Sequence, residues 1–222
     1  MNYTIDIFLP VLDETFSIDK TISIIEKKSS KFTKKYLITI SKTKTSLKSF
    51  QEIKLLKKKY KNKIKVIYQD QPFLGGALMT AIKHVRSSHF VIMASDLETN
   101  PNFFYKLRVN SQKNREKIFV ATRWKGGKNF QGYNPIKLCL NKIFQLFFSI
   151  LFKTKLSDLT FGYRIYPSEI IKKIKLTELK HPILFESIII PIKFGYKVVE
   201  LKCGWKMRQE GKSHNPFLNN FL

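Results

Sequence analysis

Acidic residues are scarce in this chain, 16 Asp+Glu against 41 Lys+Arg, so carboxylates grouped after apolar runs stand out. Asp13 and Glu14 close the segment Pro10-Val11-Leu12-Asp13-Glu14, and Asp96 and Glu98 close Met93-Ala94-Ser95-Asp96-Leu97-Glu98. An Asp-x-Glu pair offers hard oxygen ligands to a divalent cation that also carries phosphates. The competing role is structural: Asp96 or Thr99 would cap the helix that follows Pro101. Spacing alone does not decide between the two. The chain has four His and no nucleophilic triad. Its two cysteines, Cys139 and Cys203, lack a second Cys or His at metal-ligand spacing and make no disulfide framework, which suits a reducing compartment.

The elements that must carry these groups alternate along the first two-thirds of the chain. Tyr3 to Leu9 alternates apolar and polar positions and is expected to stop at Pro10. Ile18, Ile22 and Ile25 mark a helix; Tyr36 to Ile40 reads as a strand, Ser46 to Tyr60 as a helix and Ile64 to Tyr68 as a strand. Gly75-Gly76 opens a helical stretch to Arg86, and Phe90-Val91-Ile92-Met93 is a wholly apolar strand of the kind buried on both faces. Asn100-Pro101 starts a further helix before a strand over Ile118 to Thr122. Repeated units of this kind predict one α/β domain over 1–222, with an open, mostly parallel, Rossmann-like sheet flanked by helices. Ligands of such a sheet bind at the carboxyl ends of its strands, where both acidic pairs fall. No linker, low-complexity tract or repeat divides the chain. The hydrophobic fraction of 43% and 19 Phe supply a sizeable core.

The net charge of +25 suits nucleic acid, an anionic membrane or a phosphorylated small molecule. Much of it reads as solvated surface: Lys54-Leu55-Leu56-Lys57-Lys58-Lys59-Tyr60-Lys61 fits the outer face of an amphipathic helix. Nucleic acid is not an expected partner, for no recognition helix or RNA-binding aromatic motif is present. Met1-Asn2-Tyr3-Thr4-Ile5-Asp6 does not read as a signal peptide.

Residues 135–153 differ in texture. Apolar side chains, Phe144, Phe147, Phe148 and Phe152 among them, are interrupted by Lys137, Asn141, Lys142, Gln145 and Ser149. The run is too broken for a membrane span, which needs about 20 mainly apolar residues. Pattern alone favours a helix buried in the core, whereas flanking Lys153 and Lys155 suit a helix lying on anionic head groups.

Read in order, seven segments resemble the family 2 glycosyltransferases of GT-A fold. They are Pro10-Val11-Leu12-Asp13-Glu14, Gly75-Gly76-Ala77, Ser95-Asp96-Leu97-Glu98, the stretch from Ala121 to Gly127, Asp158-Leu159-Thr160-Phe161-Gly162-Tyr163-Arg164, Gly195 to Glu200, and Arg208-Gln209-Glu210-Gly211-Lys212-Ser213. Within that family the chain looks most like dolichyl-phosphate mannose synthase and related polyprenyl-phosphate sugar transferases. The similarity spans Ile5 to about Ser213.

That resemblance implies an inverting transfer of mannose or glucose from GDP-mannose or UDP-glucose to a polyprenyl or dolichyl phosphate, with Mg²⁺ or Mn²⁺. Residues 1–123 would form the donor half and 124–222 the acceptor half. It implies donor contacts at Pro10, Leu12, Asp13, Glu14, Gly75, Asp96 and Arg208, with Asp96 and Glu98 on the metal. The family's Asp-x-Asp-x-Gln departs here to Ala94, Asp96 and Glu98, so Glu98 stands in for the carboxylate absent at 94. Arg123, Lys137 and Asn141 would meet the acceptor phosphate, with Asp158, Thr160, Gly162 and Glu186 shaping the pocket. Asp96, Arg123 and Arg208 would be the catalytic residues. For Asp158 an Asx-type turn, and for Glu186 a plain helix surface, are the competing roles. The implied setting is the cytoplasmic membrane face, peripherally bound with residues 135–153 as an amphipathic interface helix, and a separate membrane-anchored subunit is a further implied partner. A surface polysaccharide or lipopolysaccharide acceptor, or a catalytically weakened sugar-nucleotide binder, is the alternative.

Overall fold

The structure is a computed structural model and describes residues 2–125, 130, 134–204 and 210. Strands β1 (Ile5–Val11), β2 (Thr33–Ile40), β3 (Ile64–Tyr68) and β4 (His89–Ile92) alternate with helices α1 (Phe16–Ser29), α2 (Leu47–Tyr60) and α3 (Phe73–Lys83). A short 3₁₀ turn, Pro101–Phe103, leads into α4 (Phe104–Lys113), then β5 (Ile118–Thr122) and α5 (Pro135–Leu151). β6 (Arg164–Pro167), α6 (Ser168–Lys173), α7 (Ile183–Lys193) and β7 (Val198–Lys202) complete the order. All seven strands form one sheet, β3-β2-β1-β4-β6-β5-β7, in which β6 alone runs antiparallel to its neighbours. β1 pairs parallel with both β2 and β4, so the chain reverses direction across the sheet between β1 and β4. That reversal leaves a crevice beyond the carboxyl ends of the two strands.

The helices lie where their apolar spacing requires. Ile18, Ile22 and Ile25 of α1 are fully buried against the sheet, each contributing about 1.5–3 kcal/mol by leaving water. On α2, Ile53 and Leu56 face inward while Lys54, Lys57, Lys58 and Lys59 are exposed, so that lysine run is a solvated helix face. Ser46 caps α2 by accepting from the Ser49 N–H at 3.2 Å.

Three expectations are corrected. β1 does not stop at Pro10 but continues to Val11. The β1–β4 ladder has already ended at Phe8 and Ile92, and the Pro10 carbonyl accepts instead from the Ser95 hydroxyl at 2.6 Å, so proline's missing N–H breaks no ladder bond there. The helix opened near Gly75 closes at Lys83, short of Arg86, because the buried Asp6 carboxylate takes the Arg86 and Ser87 N–H groups at 2.7 and 2.9 Å. Helix α5 is not the core helix that pattern alone favours. Its fully buried residue is Gln145, while Ile136, Ile143, Leu146, Phe147 and Ile150 are 58–70% exposed. No helix among the described residues is long and apolar enough to cross a membrane.

Candidate active site

The topology brings segments far apart in sequence to one edge of the sheet. β5 runs parallel to β4 through the shared antiparallel β6. The loops after β1, β4 and β5 and the turn before β6 therefore converge.

On one side of the crevice stand Asp13, Glu14, Asp96 and Glu98. Asp96 is buried, and its Oδ1 accepts from the Glu98 N–H at 3.0 Å. Between them Leu97 is held at φ +64°, a left-handed conformation that costs a non-glycine residue roughly 1–2 kcal/mol. Neither Asp96 nor Thr99 caps the following helix: Asn100 does so, accepting from Asn102 N–H at 3.0 Å, while the Thr99 hydroxyl donates to the Ala94 carbonyl. The capping role weighed for Asp96 is thereby removed. The Glu14 Oε2 turns back on its own loop and accepts from the N–H groups of Leu12 and Asp13 at 2.7 and 3.1 Å. Burial pushes its carboxyl above the ordinary range, and the neighbouring Asp96 charge adds to the rise against those hydrogen bonds. Among the described residues no three His, Cys, Asp or Glu gather into a metal-binding group.

On the other side lies a cationic turn. Arg123 grips Asp158 with Nε to Oδ2 at 2.7 Å and Nη2 to Oδ1 at 2.8 Å, and its own N–H reaches Oδ2 at 3.1 Å. Nη2 also donates to Thr160 Oγ1 at 3.0 Å, and the guanidinium lies 4.9 Å from the Phe161 ring centroid. Asp158 in turn accepts from the Phe161 N–H at 3.1 Å, so the Asx-type turn and the ion pair are both real. Asn141 joins the group through Gln145, whose Nε2 donates to Asn141 Oδ1 and to Thr160 Oγ1 at 2.9 and 2.8 Å. Lys137, one turn earlier on α5, is exposed. Gly162 stands where a Cβ would come within 3.0 Å of a Leu184 methyl on α7.

Gly75 and Glu186 both bond to the 177–179 segment instead. The Glu186 carboxylate accepts from the N–H groups of Thr177 and Glu178 at 3.0–3.1 Å, and the Gly75 N–H donates to the Leu179 carbonyl at 2.7 Å. A Cβ on Gly75 would lie 2.0 Å from the Glu178 carbonyl oxygen, so close packing accounts for this glycine. Arg208 lies outside the described residues.

Three residues given no role from sequence matter here. Glu200 on β7 accepts from Ser157 N–H, the Ser157 hydroxyl and Asp158 N–H at 2.9–3.0 Å, and from Lys125 Nζ at 2.7 Å. Glu210 takes the N–H groups of Thr15 and Ser17, each at 3.0 Å, at the start of α1, an end that has no side-chain cap of its own. Gln145 continues the i, i+4 spacing of Lys137 and Asn141, a polar stripe through an apolar helix that was legible in advance.

A switch-point crevice flanked by paired carboxylates and an arginine gripped by a buried aspartate is the architecture of a GT-A nucleotide-sugar transferase. Residues 41–175 match the model of Glycosyl transferase family 2; the chain belongs to that family and is a nucleotide-sugar glycosyltransferase. In fold it is similar to glucosyl-3-phosphoglycerate synthase from Mycobacterium tuberculosis in complex with UDP. That match has 14% identity and a TM-score of 0.73, and covers 99% of this chain and 75% of that one. The same enzyme in complex with Mn²⁺, UDP and phosphoglyceric acid matches at 14% identity and TM-score 0.71, over 99% and 74%.

Proposed function

We propose that this glycosyltransferase moves a hexose, mannose or glucose, from GDP-mannose or UDP-glucose to a polyprenyl or dolichyl phosphate at the cytoplasmic face of a membrane. One observation carries the reading: the helix hydrogen-bonded to the Arg123–Asp158 turn is also the helix that turns a large apolar face outward. A lipid phosphate needs both features at once, a cation for its head group and an apolar surface beside it. Exposed Lys142, Lys153 and Lys155 border that face and match anionic head groups. Pairing two copies through this face would bring two chains of net charge +25 together, which self-repulsion opposes.

In this reading residues 1–123 hold the donor and residues 124–222 the acceptor. Pro10, Leu12, Asp13 and Glu14 shape the donor side, with Arg208 reaching its diphosphate, while Gly75 serves by letting α3 pack closely on the 177–179 segment. Arg123, Lys137 and Asn141 receive the acceptor phosphate on the frame of Asp158, Thr160, Gly162 and Glu186. The acceptor oxygen is already ionised near neutral pH, so it attacks the anomeric carbon without a strong base while the bond to the nucleoside diphosphate breaks. A single displacement inverts the anomeric centre. Positioning and charge stabilisation supply the catalysis.

Asp96 and Glu98 fit a divalent cation, Mg²⁺ or Mn²⁺, of the sort held by one or two carboxylates and completed by substrate phosphates. Such an ion, when bound, neutralises the charge on the departing diphosphate. The mycobacterial relative crystallised with Mn²⁺ and UDP supports that assignment.

The test uses the purified chain with Mg²⁺ or Mn²⁺, labelled GDP-mannose or UDP-glucose, and vesicles carrying polyprenyl phosphate. Label extracted into organic solvent is the expected result. Label confined to a water-soluble saccharide, or donor binding without turnover, overturns the lipid acceptor. D96N is expected to lower transfer by about 10²-fold or more.

A further inference from the structure

Gln145 is an odd residue to bury. It is the fully buried position of a helix whose outer face is apolar, and an amide taken out of water is costly unless its groups are bonded. Both ends are satisfied, and each makes one bond to the Asp158 turn. Oε1 accepts from the Leu159 N–H at 2.7 Å, and Nε2 donates to Thr160 Oγ1 and Asn141 Oδ1. The Thr160 oxygen accepts from Gln145 and from Arg123 Nη2 together, and its own proton points toward Asp158 Oδ1 at 3.5 Å. One donor and two acceptor sites exhaust a hydroxyl, so Thr160 has no slack with which to absorb a shift of the helix.

On its flank α5 packs against α7 through rings. Phe144 and Phe148 pack on Phe185 of α7 with centroids 5.7 and 4.9 Å away, and Phe152 adds a contact at 5.8 Å. Ring contacts permit sliding, whereas the Gln145 bonds fix register. Among the described residues the hydrogen-bonded link between α5 and the turn that holds the guanidinium runs through Gln145.

We propose that Gln145 is a positioning residue for the acceptor site: it ties the Asp158–Phe161 turn, and through Thr160 the Arg123 guanidinium, to the seating of α5. Covering the apolar face then steadies Arg123 for an incoming phosphate, and transfer is stimulated by a lipid surface beyond mere delivery of the acceptor. This rests on the reading that α5 lies on lipid and that Arg123 meets the acceptor.

Two variants separate the bonds. Q145E keeps an acceptor for Leu159 N–H and loses the donors to Thr160 and Asn141; Q145L loses all three. Each is assayed for melting, donor affinity by calorimetry, and transfer to polyprenyl phosphate in phosphatidylglycerol vesicles and to farnesyl phosphate in solution. Amide exchange of residues 157–161 is followed with and without vesicles. The expected result is intact folding and donor affinity in Q145E, with transfer lowered about 10–100-fold, mainly in kcat. Vesicles should slow exchange at 159–161 in the wild type and leave both variants unchanged. Q145E transferring like wild type, donor affinity falling in step with transfer, or bound vesicles leaving wild-type exchange at 157–161 unaltered would each overturn the proposal. A wild type that binds vesicles but glycosylates only farnesyl phosphate would sink the membrane-borne long-chain acceptor instead, and exchange together with the soluble acceptor would still judge Gln145. A wild type that ignores vesicles overturns the coupling together with the lipid surface.

Discussion

The Asp158 carboxylate, whose side chain is wholly buried, is shared between the Arg123 guanidinium and the backbone of its own turn, and Glu200 holds that turn from beneath. An arginine that faces a phosphate must be oriented without being neutralised outright. Here Asp158 takes Nε and one face of Nη2, and the second carboxylate, Glu200, is answered by Lys125. Two acids and two bases thus form a frame that fixes Arg123 at the carboxyl end of β5.

Breaking that frame should cost both stability and rate. D158N takes away the buried carboxylate that Arg123, 11% exposed in its side chain, grips, and loss of one partner of a buried pair costs about 3–5 kcal/mol. R123K keeps the charge but loses the fork. Denaturant unfolding should therefore show the larger loss for D158N, whereas steady-state transfer should fall about 10²-fold in R123K. Equal melting of D158N and wild type would contradict the burial argument.

Gly75 offers a test of packing alone. The Cβ of G75A would meet the Glu178 carbonyl at 2.0 Å, whereas the Cβ of G204A finds nothing within 4 Å. G75A should lose about 1–3 kcal/mol of stability and G204A stay within about 0.5 kcal/mol of wild type, read from urea midpoints.

The outward face of α5 should matter to lipid and not to folding. Ile143 and Phe147 are 59% and 58% exposed, so I143S and F147S should melt as wild type does. If the face enters a bilayer boundary, each forfeits about 1.5–3 kcal/mol of apolar burial, and cosedimentation with anionic vesicles should weaken roughly tenfold or more per change. Raised salt should weaken it further by screening the bordering lysines.

Glu210 gives the pH dependence a sign. Burial pushes its carboxyl up, but hydrogen bonds from Ser17 and Thr15 outweigh that and leave it below the ordinary range. A carboxyl lowered in the folded state adds stability above its unfolded value and loses it as pH falls through the folded one. The melting advantage of wild type over E210Q should be full at neutral pH and vanish below the ordinary carboxylate range. An advantage that grows on acidification would refute the contact.

Local pattern was enough for the parallel half of the fold. β3 and β5 have the limits expected of them, Ile64–Tyr68 and Ile118–Thr122, because short apolar strands between turn residues carry their own boundaries. It was not enough for β6, whose antiparallel pairing with β4 depends on residues more than 70 positions apart. The site divides in the same way. The carboxylates after β1 and β4 and the Asp158 turn are legible as motifs, since their spacing is local. The i, i+4 stripe marks Gln145 as a polar position, but its partners, the hold of Glu200 on the turn and the Glu210 cap on α1 are bonds between separate segments that local spacing does not encode.

The sequence by itself determined the family resemblance, the carboxylate pair at Asp96 and Glu98, and the apolar texture of residues 135–153. Only the tertiary structure decided which way that last segment faces. An amphipathic pattern fixes which side chains share a stripe, but whether the stripe meets the core or the solvent depends on what α7 and the Asp158 turn leave for it to cover. Phe185 and Thr160 cover the Phe144, Gln145 and Phe148 side, and the opposite side stays outward.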